Sequence, residues 1–196
     1  MPRLSPRAIA ALTILSGLSI WITWRAKAIE LKLSQSDEAA DALNGKPAPD
    51  FHLPSLDGGT ISPADFLGKK ALVVGFWASW CGPCQEELPQ LAAFYNRTRK
   101  RGSDYEMVAI SIDDDPAAAR KAAADMKLPF PVLLDPGGHI SRQYRVSAIP
   151  ELFLISKEGR VYHVKVDDSI SVGLTLDQYL GTKLYGRPGA ADGGSH

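Results

Sequence analysis

The chain has 196 residues, 22 basic against 22 acidic, and an apolar fraction of 45%. Those values fit one globular domain with terminal extensions, and formal neutrality gives no electrostatic footprint for a nucleic-acid partner. Cys81 and Cys84 are the only two cysteines, which excludes a multi-disulfide scaffold and a four-cysteine zinc site.

The N-terminus differs in kind from the rest. Arg3 and Arg7 precede an uncharged stretch from Ala8 to Trp24, and Arg25 and Lys27 close it. Roughly 17 residues at ~1.5 Å each cover ~25 Å, close to the ~30 Å hydrocarbon core of a bilayer. Trp21 and Trp24 stand at one end, where indole rings favour the membrane interface. The expectation is a retained membrane anchor within residues 1–28. Ala26-Lys27-Ala28 also offers small residues for cleavage after Ala28, which leaves a secreted or periplasmic soluble domain as the alternative. Either outcome sends the following domain out of the cytosol, to the periplasm or cell-envelope side. Residues 29–46 are polar and alanine-rich and read as a stalk.

The folded domain is expected over residues 47–184. Phe51, Leu53 and Leu56 flank Pro54 and the turn residues Asp57-Gly58-Gly59, suggesting a short edge hairpin. Ser62-Pro63-Ala64-Asp65 reads as a capped helical turn. Ala71–Phe76 is a continuous apolar run of strand length, and Met107–Ile112 is a second. Between them a helical pattern begins at Pro83, with Leu88, Leu91, Ala92 and Tyr95 on one face. Asp115 before Pro116 marks the start of a helix over Ala117–Met126. Pro131–Asp135 reads as a short strand and Ile140–Tyr144 as a brief helix. Leu152–Ser156 and Val161–Val166 form a hairpin through Lys157-Glu158-Gly159-Arg160. Leu174–Leu184 closes the domain as a helix. Residues 185–196 are rich in glycine and alanine and should be disordered. This order predicts an α/β sandwich with a mixed central β-sheet.

The chemistry centres on Trp80-Cys81-Gly82-Pro83-Cys84. A bridge between cysteines this close restrains little of the unfolded chain, so the pair suits chemistry that makes and breaks the bond. Cys81 falls at or just before the first helical turn, where free N–H groups and the macrodipole favour a thiolate. Cys84 lies about one turn later, within reach of it. That order makes Cys81 the attacking thiol and Cys84 the resolving one. Two inert buried cysteines, and a copper site completed by His139 or His163, are the competing readings. His52, His139, His163 and His196 are too scattered in sequence to complete a zinc site with the pair. No flavin or nicotinamide fingerprint is present, so no cofactor is expected.

These residues resemble the thioredoxin superfamily, and more narrowly its membrane-anchored TlpA/ResA/CcmG branch. The resemblance runs from about Pro47 to Leu184. It includes Pro89 inside the active helix, Ile149-Pro150 at the position of the cis-proline loop, and Gly45-Lys46-Pro47-Ala48-Pro49-Asp50-Phe51 as the entry segment. It implies a three-layer thioredoxin-like fold and a thiol–disulfide oxidoreductase that reduces protein disulfides, on a path such as cytochrome c maturation. A membrane or soluble dithiol donor would recharge it. Trp80, Gly82, Pro83, Ile149 and Pro150 would line the substrate groove. Three rivals remain open: a disulfide oxidase of the same fold, a Sco-like copper-binding assembly protein, and a tethered binding module with a vestigial motif.

The chain departs from the family in two places. Gly75 stands where thioredoxin has a buried aspartate. Glu87, which matches a glutamate of the branch, is expected to supply the missing acid–base group on the active helix, with an exposed helix glutamate as the competing reading. Glu151 follows Pro150 where the family has threonine or serine, and its carboxylate is expected near the substrate groove.

Overall fold

The computed structural model describes residues 18–27, 40–100, 102–164, 172, 176–178 and 180. The chain divides into two compact units, Met1–Ala39 and Ala40–His196. In the first, residues 18–27 form a helix, α1. Thr23 Oγ1 donates to the carbonyls of Ser19 and Ile20, and the Arg25 guanidinium lies 5.1 Å over the Trp21 ring. Leu18, Ile20, Trp21, Ile22 and Trp24 are all exposed. Among the described residues no helix is long and apolar enough to cross a membrane. Residues 8–17 of the expected anchor lie outside the described residues, as does the expected tail over 185–196.

The second unit begins before the expected boundary at residue 47. Ala40 and Leu43 are buried in its core. The Gly45 N–H donates to the Val161 carbonyl at 2.8 Å, and Arg160 Nη1 donates to the Gly45 carbonyl at 2.7 Å. Residues 40–46, expected as the end of a stalk, are thus part of the domain. Their two buried apolar side chains and open backbone groups find partners there that a polar composition does not reveal.

In chain order the elements are β1 (Leu53–Pro54), β2 (Thr60–Ile61), a 3-10 turn (Pro63–Asp65), β3 (Ala71–Trp77), α2 (Gly82–Arg99), β4 (Tyr105–Ser111), α3 (Pro116–Asp125), β5 (Val132–Leu134), α4 (His139–Gln143), β6 (Glu151–Ile155) and β7 (Val161–Val164). The expected elements through β6 are present, shifted by a residue or two at their ends, and residues 165–166 of the expected last strand lie outside the described residues. The hairpin of β1 and β2 is antiparallel, with Leu53 opposite Ile61. Asp115 caps α3 by accepting the Ala117 N–H at 2.9 Å, and Pro116 takes the first turn, where its missing N–H costs nothing. Of the closing helix Leu174–Leu184, residues 176–178 and 180 are described and helical.

The main sheet runs β5-β4-β3-β6-β7. The β3–β4 and β4–β5 pairs are parallel, and the β3–β6 and β6–β7 pairs antiparallel. Every residue of β3 is buried, as its unbroken apolar run demands of a strand covered on both faces. One face sets Val73, Trp77, Leu152 and Leu154 against Cys84, Leu88, Leu91 and Tyr95 of α2, together with Val172, Leu176 and Leu180. The other sets Val74, Phe76, Phe153 and Ile155 against Phe51, Ile140 and Tyr144. Phe153 meets Phe76 and Tyr144 edge-on at 5.9 and 5.2 Å. This is the mixed-sheet thioredoxin-like α/β fold, and it brings the start of α2 to the C-terminal end of the central strand β3.

Candidate active site

The chain leaves β3 at Trp77 and enters α2 through Ala78–Cys81. Cys81 is the N-cap residue of α2, with a proline in the opening positions. Its Sγ accepts the Cys84 N–H at 3.2 Å, filling the role that an oxygen of serine or aspartate fills at an ordinary N-cap. Negative charge on this sulfur therefore faces a free helical N–H and the positive end of the helix dipole. Cys81 and Cys84 are joined as a disulfide with Cα atoms 5.3 Å apart. Cys81 keeps 5% of its surface in contact with solvent and Cys84 none, the order expected of an attacking and a resolving sulfur.

Around Cys81, Trp80 is 70% exposed, and Gly82 and Pro83 are exposed beside it. The Ile149–Pro150 peptide is cis. The Ile149 carbonyl oxygen lies 3.6 Å from Cys81 Sγ, although the two residues are 68 apart in sequence. Ile149 and Pro150 are half-buried. The fold thus brings together the cysteine pair, an exposed indole and a backbone segment able to meet an extended chain.

Glu87 sits three residues beyond Cys84, on the neighbouring turn of α2. It is half-buried, and no hydrogen bond or ion pair holds it among the described residues. Burial pushes its carboxyl up from the ordinary 4.5 to about 7. Gly75 lies on the same face of the sheet as Val73 and Trp77. A Cβ there would stand 3.0 Å from Leu152 Cδ2, so Leu152 fills the space into which an acidic side chain would reach.

Glu151 is not in the groove. Its carboxylate Oε1 lies 3.2 Å from His163 Nε2, with the side chain 10% exposed. Strand alternation turns Glu151 to the same face as Phe153, away from α2. The histidines are also engaged elsewhere: His163 faces two carboxylates, and His139 Nε2 lies 3.0 Å from Gln143 Nε2. Among the described residues no group of three or more histidine, cysteine or acidic side chains is arranged to hold a metal.

Sequence reading missed Asp113. It is 3% exposed and sits at the end of β4, beside the loop that carries the motif. Its Oδ2 accepts the Ser79 N–H at 2.9 Å and the Ser111 hydroxyl at 2.7 Å, while Oδ1 accepts the Ser79 hydroxyl at 2.7 Å. Gln85 Nε2 donates to the Ser79 carbonyl at 2.7 Å, so Ser79 is held from both sides two residues before Cys81. The available signal was an acidic residue just past a buried strand that neighbours the motif strand.

Residues 44–164 match the family model described as AhpC/TSA. The chain belongs to the AhpC/TSA family. Within it, the chain is 37% identical over 117 residues to the thiol-disulfide oxidoreductase ResA of Bacillus thuringiensis, covering 60% of this chain and 66% of that protein. It is 32% identical over 120 residues to the ResA of Geobacillus kaustophilus, covering 61% and 67%. A solved structure from Chlorobium tepidum, described as a candidate thiol:disulfide interchange protein DsbE, superposes with a TM-score of 0.63 at 31% identity, covering 72% of this chain and 97% of that one. The chain spans just under two thirds of the Bacillus thuringiensis relative. These likenesses identify an AhpC/TSA-family protein of the thioredoxin-like ResA/DsbE class, in agreement with the resemblance carried by the motif.

Proposed function

We propose that this protein is an extracytoplasmic thiol–disulfide oxidoreductase that reduces disulfides in protein substrates. One observation carries the reading: Cys81 Sγ caps α2, receives the Cys84 N–H at 3.2 Å and lies 3.6 Å from the Ile149 carbonyl. In the reduced protein, the Cys81 thiolate attacks one sulfur of a substrate disulfide. A Cys81–substrate bond forms, the substrate S–S bond breaks, and the other substrate sulfur leaves as a thiolate that takes up a proton. Cys84 loses its proton and attacks Cys81 Sγ. The Cys81–Cys84 bond forms, and the second substrate sulfur leaves and is protonated. Two electrons pass to the substrate, and an external dithiol must return two to the enzyme.

Glu87 is the group we assign to proton transfer at this pair. A carboxyl at about 7 exchanges its proton readily near neutral pH, and a position one turn from Cys84 suits it to take the Cys84 proton. Trp80, Gly82 and Pro83 with Ile149 and Pro150 form the groove, in which the Ile149 backbone pairs with extended substrate. The thiol-disulfide oxidoreductase names of the relatives support the exchange chemistry, and the resemblance carried by the motif suggests a place in an assembly path such as cytochrome c maturation. A membrane or soluble dithiol serves as the electron donor.

The chain's N-terminus supports attachment to the membrane through residues 1–28. The apolar stretch Ala8–Trp24 and the exposed indoles of Trp21 and Trp24 motivate this. Fractionation tests it: the protein should resist salt extraction and leave with detergent, and a mature N-terminus at Ile29 would refute it. Insulin reduction tests the activity. The reduction potential of the Cys81–Cys84 pair fixes its direction: a strongly oxidising value would make the protein a disulfide oxidase.

A further inference from the structure

Glu151 has no part in the exchange chemistry, yet it opens β6 directly after Pro150. Its backbone pairs with Phe76 of β3. Its carboxylate is tied to His163 Nε2, and the imidazole is 5% exposed. The other ring nitrogen, Nδ1, lies 3.1 Å from Asp41 Oδ1. The His163 backbone N–H donates to Asn44 Oδ1 at 2.6 Å, and Asn44 Nδ2 donates to Asp41 Oδ1 at 3.2 Å. The ring packs on Phe153 with centroids 5.3 Å apart. Three distant parts of the chain, residues 41–44, the start of β6 and the middle of β7, converge on one buried imidazole.

Burying a carboxylate in such a place is unfavourable unless it is tied to a donor, and apolar side chains of the same shape usually stabilise a core as well or better. Beyond these polar partners the ring packs on Phe153, so cohesion alone would be served as well by an apolar pair. What the tie adds is direction. It fixes Glu151 from the side of the sheet opposite α2. Only Pro150 then separates that fixed point from Ile149, whose carbonyl faces Cys81 Sγ at 3.6 Å.

We propose that Asp41, His163 and Glu151 form a clamp that positions the Ile149–Pro150 segment for extended protein substrates. Glu151 and His163 are positioning residues, acting on substrate through the backbone of Ile149 and not by contact. The inference rests on the thiol–disulfide reading above. Residues 41–44 belong to the segment that enters the domain, so the clamp also joins the chain entry to the groove. Small disulfides, which need only Cys81, are indifferent to it.

The test uses the full-length protein, with insulin as the protein disulfide and hydroxyethyl disulfide as the small one. Glu151→Met combined with His163→Phe removes both sides of the tie together, which keeps the core filled and leaves neither partner unpaired by loss of the other. The insulin KM should rise about tenfold with kcat changed less than about twofold, and turnover of hydroxyethyl disulfide should stay the same. Glu151→Gln keeps an acceptor for Nε2 and should hold the insulin KM within about twofold of wild type. If the double variant does not fold, Glu151→Met alone carries the same expectation. A folded variant with lower Tm and unchanged insulin KM overturns the clamp and leaves a structural role only. Wild-type protein that reduces neither disulfide overturns the thiol–disulfide reading and the clamp with it. Normal wild-type turnover with variants that match it overturns the clamp alone.

Discussion

Two glutamates flank the central sheet, one on each face. On the α2 side Glu87 is half-buried with no hydrogen bond or ion pair among the described residues, and burial lifts its carboxyl to about 7. On the other side the Glu151 side chain is 10% exposed, but His163 stands 3.2 Å from it and Asp41 stands 3.1 Å from the same ring. Withdrawal from water alone makes a carboxyl hold its proton, which suits a group that must give and take one. Withdrawal with a cationic or hydrogen-bonding partner makes it a fixed point. The same residue type thus serves proton transfer in one place and geometry in the other, and the neighbours decide which.

The comparison breaks most visibly if a partner is taken away. His163→Ala removes the buried ring that packs on Phe153 and faces both carboxylates, and should cost about 3–5 kcal/mol of stability, read as a shifted urea midpoint at constant m-value. A loss under about 1 kcal/mol would mean that Glu151 is not held as described.

Glu87→Gln should act with the opposite sign. The folded protein binds the Glu87 proton more tightly than the unfolded chain does, since the carboxyl is raised from 4.5 to about 7. The stability linked to that proton is fully present below about 4.5 and is lost as the pH rises through about 7. The glutamine variant should therefore match wild type in acid and be more stable at pH 8, by ~3 kcal/mol at most. Its rate of disulfide reduction should also lose the pH dependence centred near 7. Equal stability of the two proteins across this range would show that Glu87 is solvated.

A smaller effect is expected at Asp113, which lies on neither glutamate's path but holds Ser79 beside the motif. Asp113→Asn keeps one accepting oxygen where two now serve three donors. It should cost about 1–2 kcal/mol and slow Cys81 alkylation in the reduced protein, because the loop before the helix loosens. An unchanged alkylation rate would confine Asp113 to a structural role.

Much of this was legible in the chain. The buried run Ala71–Phe76 followed by Cys-Gly-Pro-Cys places a strand, a turn and a helix start, and local rules of periodicity and capping suffice for that. Pro150 was found through its resemblance to a family position. Glu151 was misplaced because alternation along β6 assigns it to the face of Phe153 without saying which face carries α2. Asp113 and the His163 clamp stayed hidden for a different reason. Their contacts join residues 34 and 122 apart, and no periodicity encodes a pairing between side chains that only the folded sheet brings together. The domain's start was hidden likewise, since Ala40 and Leu43 lie in a polar stretch and join a core cluster that reaches from Phe51 to Val161.

In the proposed mechanism Cys81 attacks and Cys84 resolves. Trapping tests it most directly: reduced Cys84→Ser and Cys81→Ser variants are mixed with a disulfide-bearing protein and resolved without reductant. A mixed disulfide through Cys81 is expected in the Cys84→Ser protein and none in the Cys81→Ser protein. Trapping by Cys81→Ser alone would reverse the assignment, and trapping by neither would contradict disulfide exchange at this site.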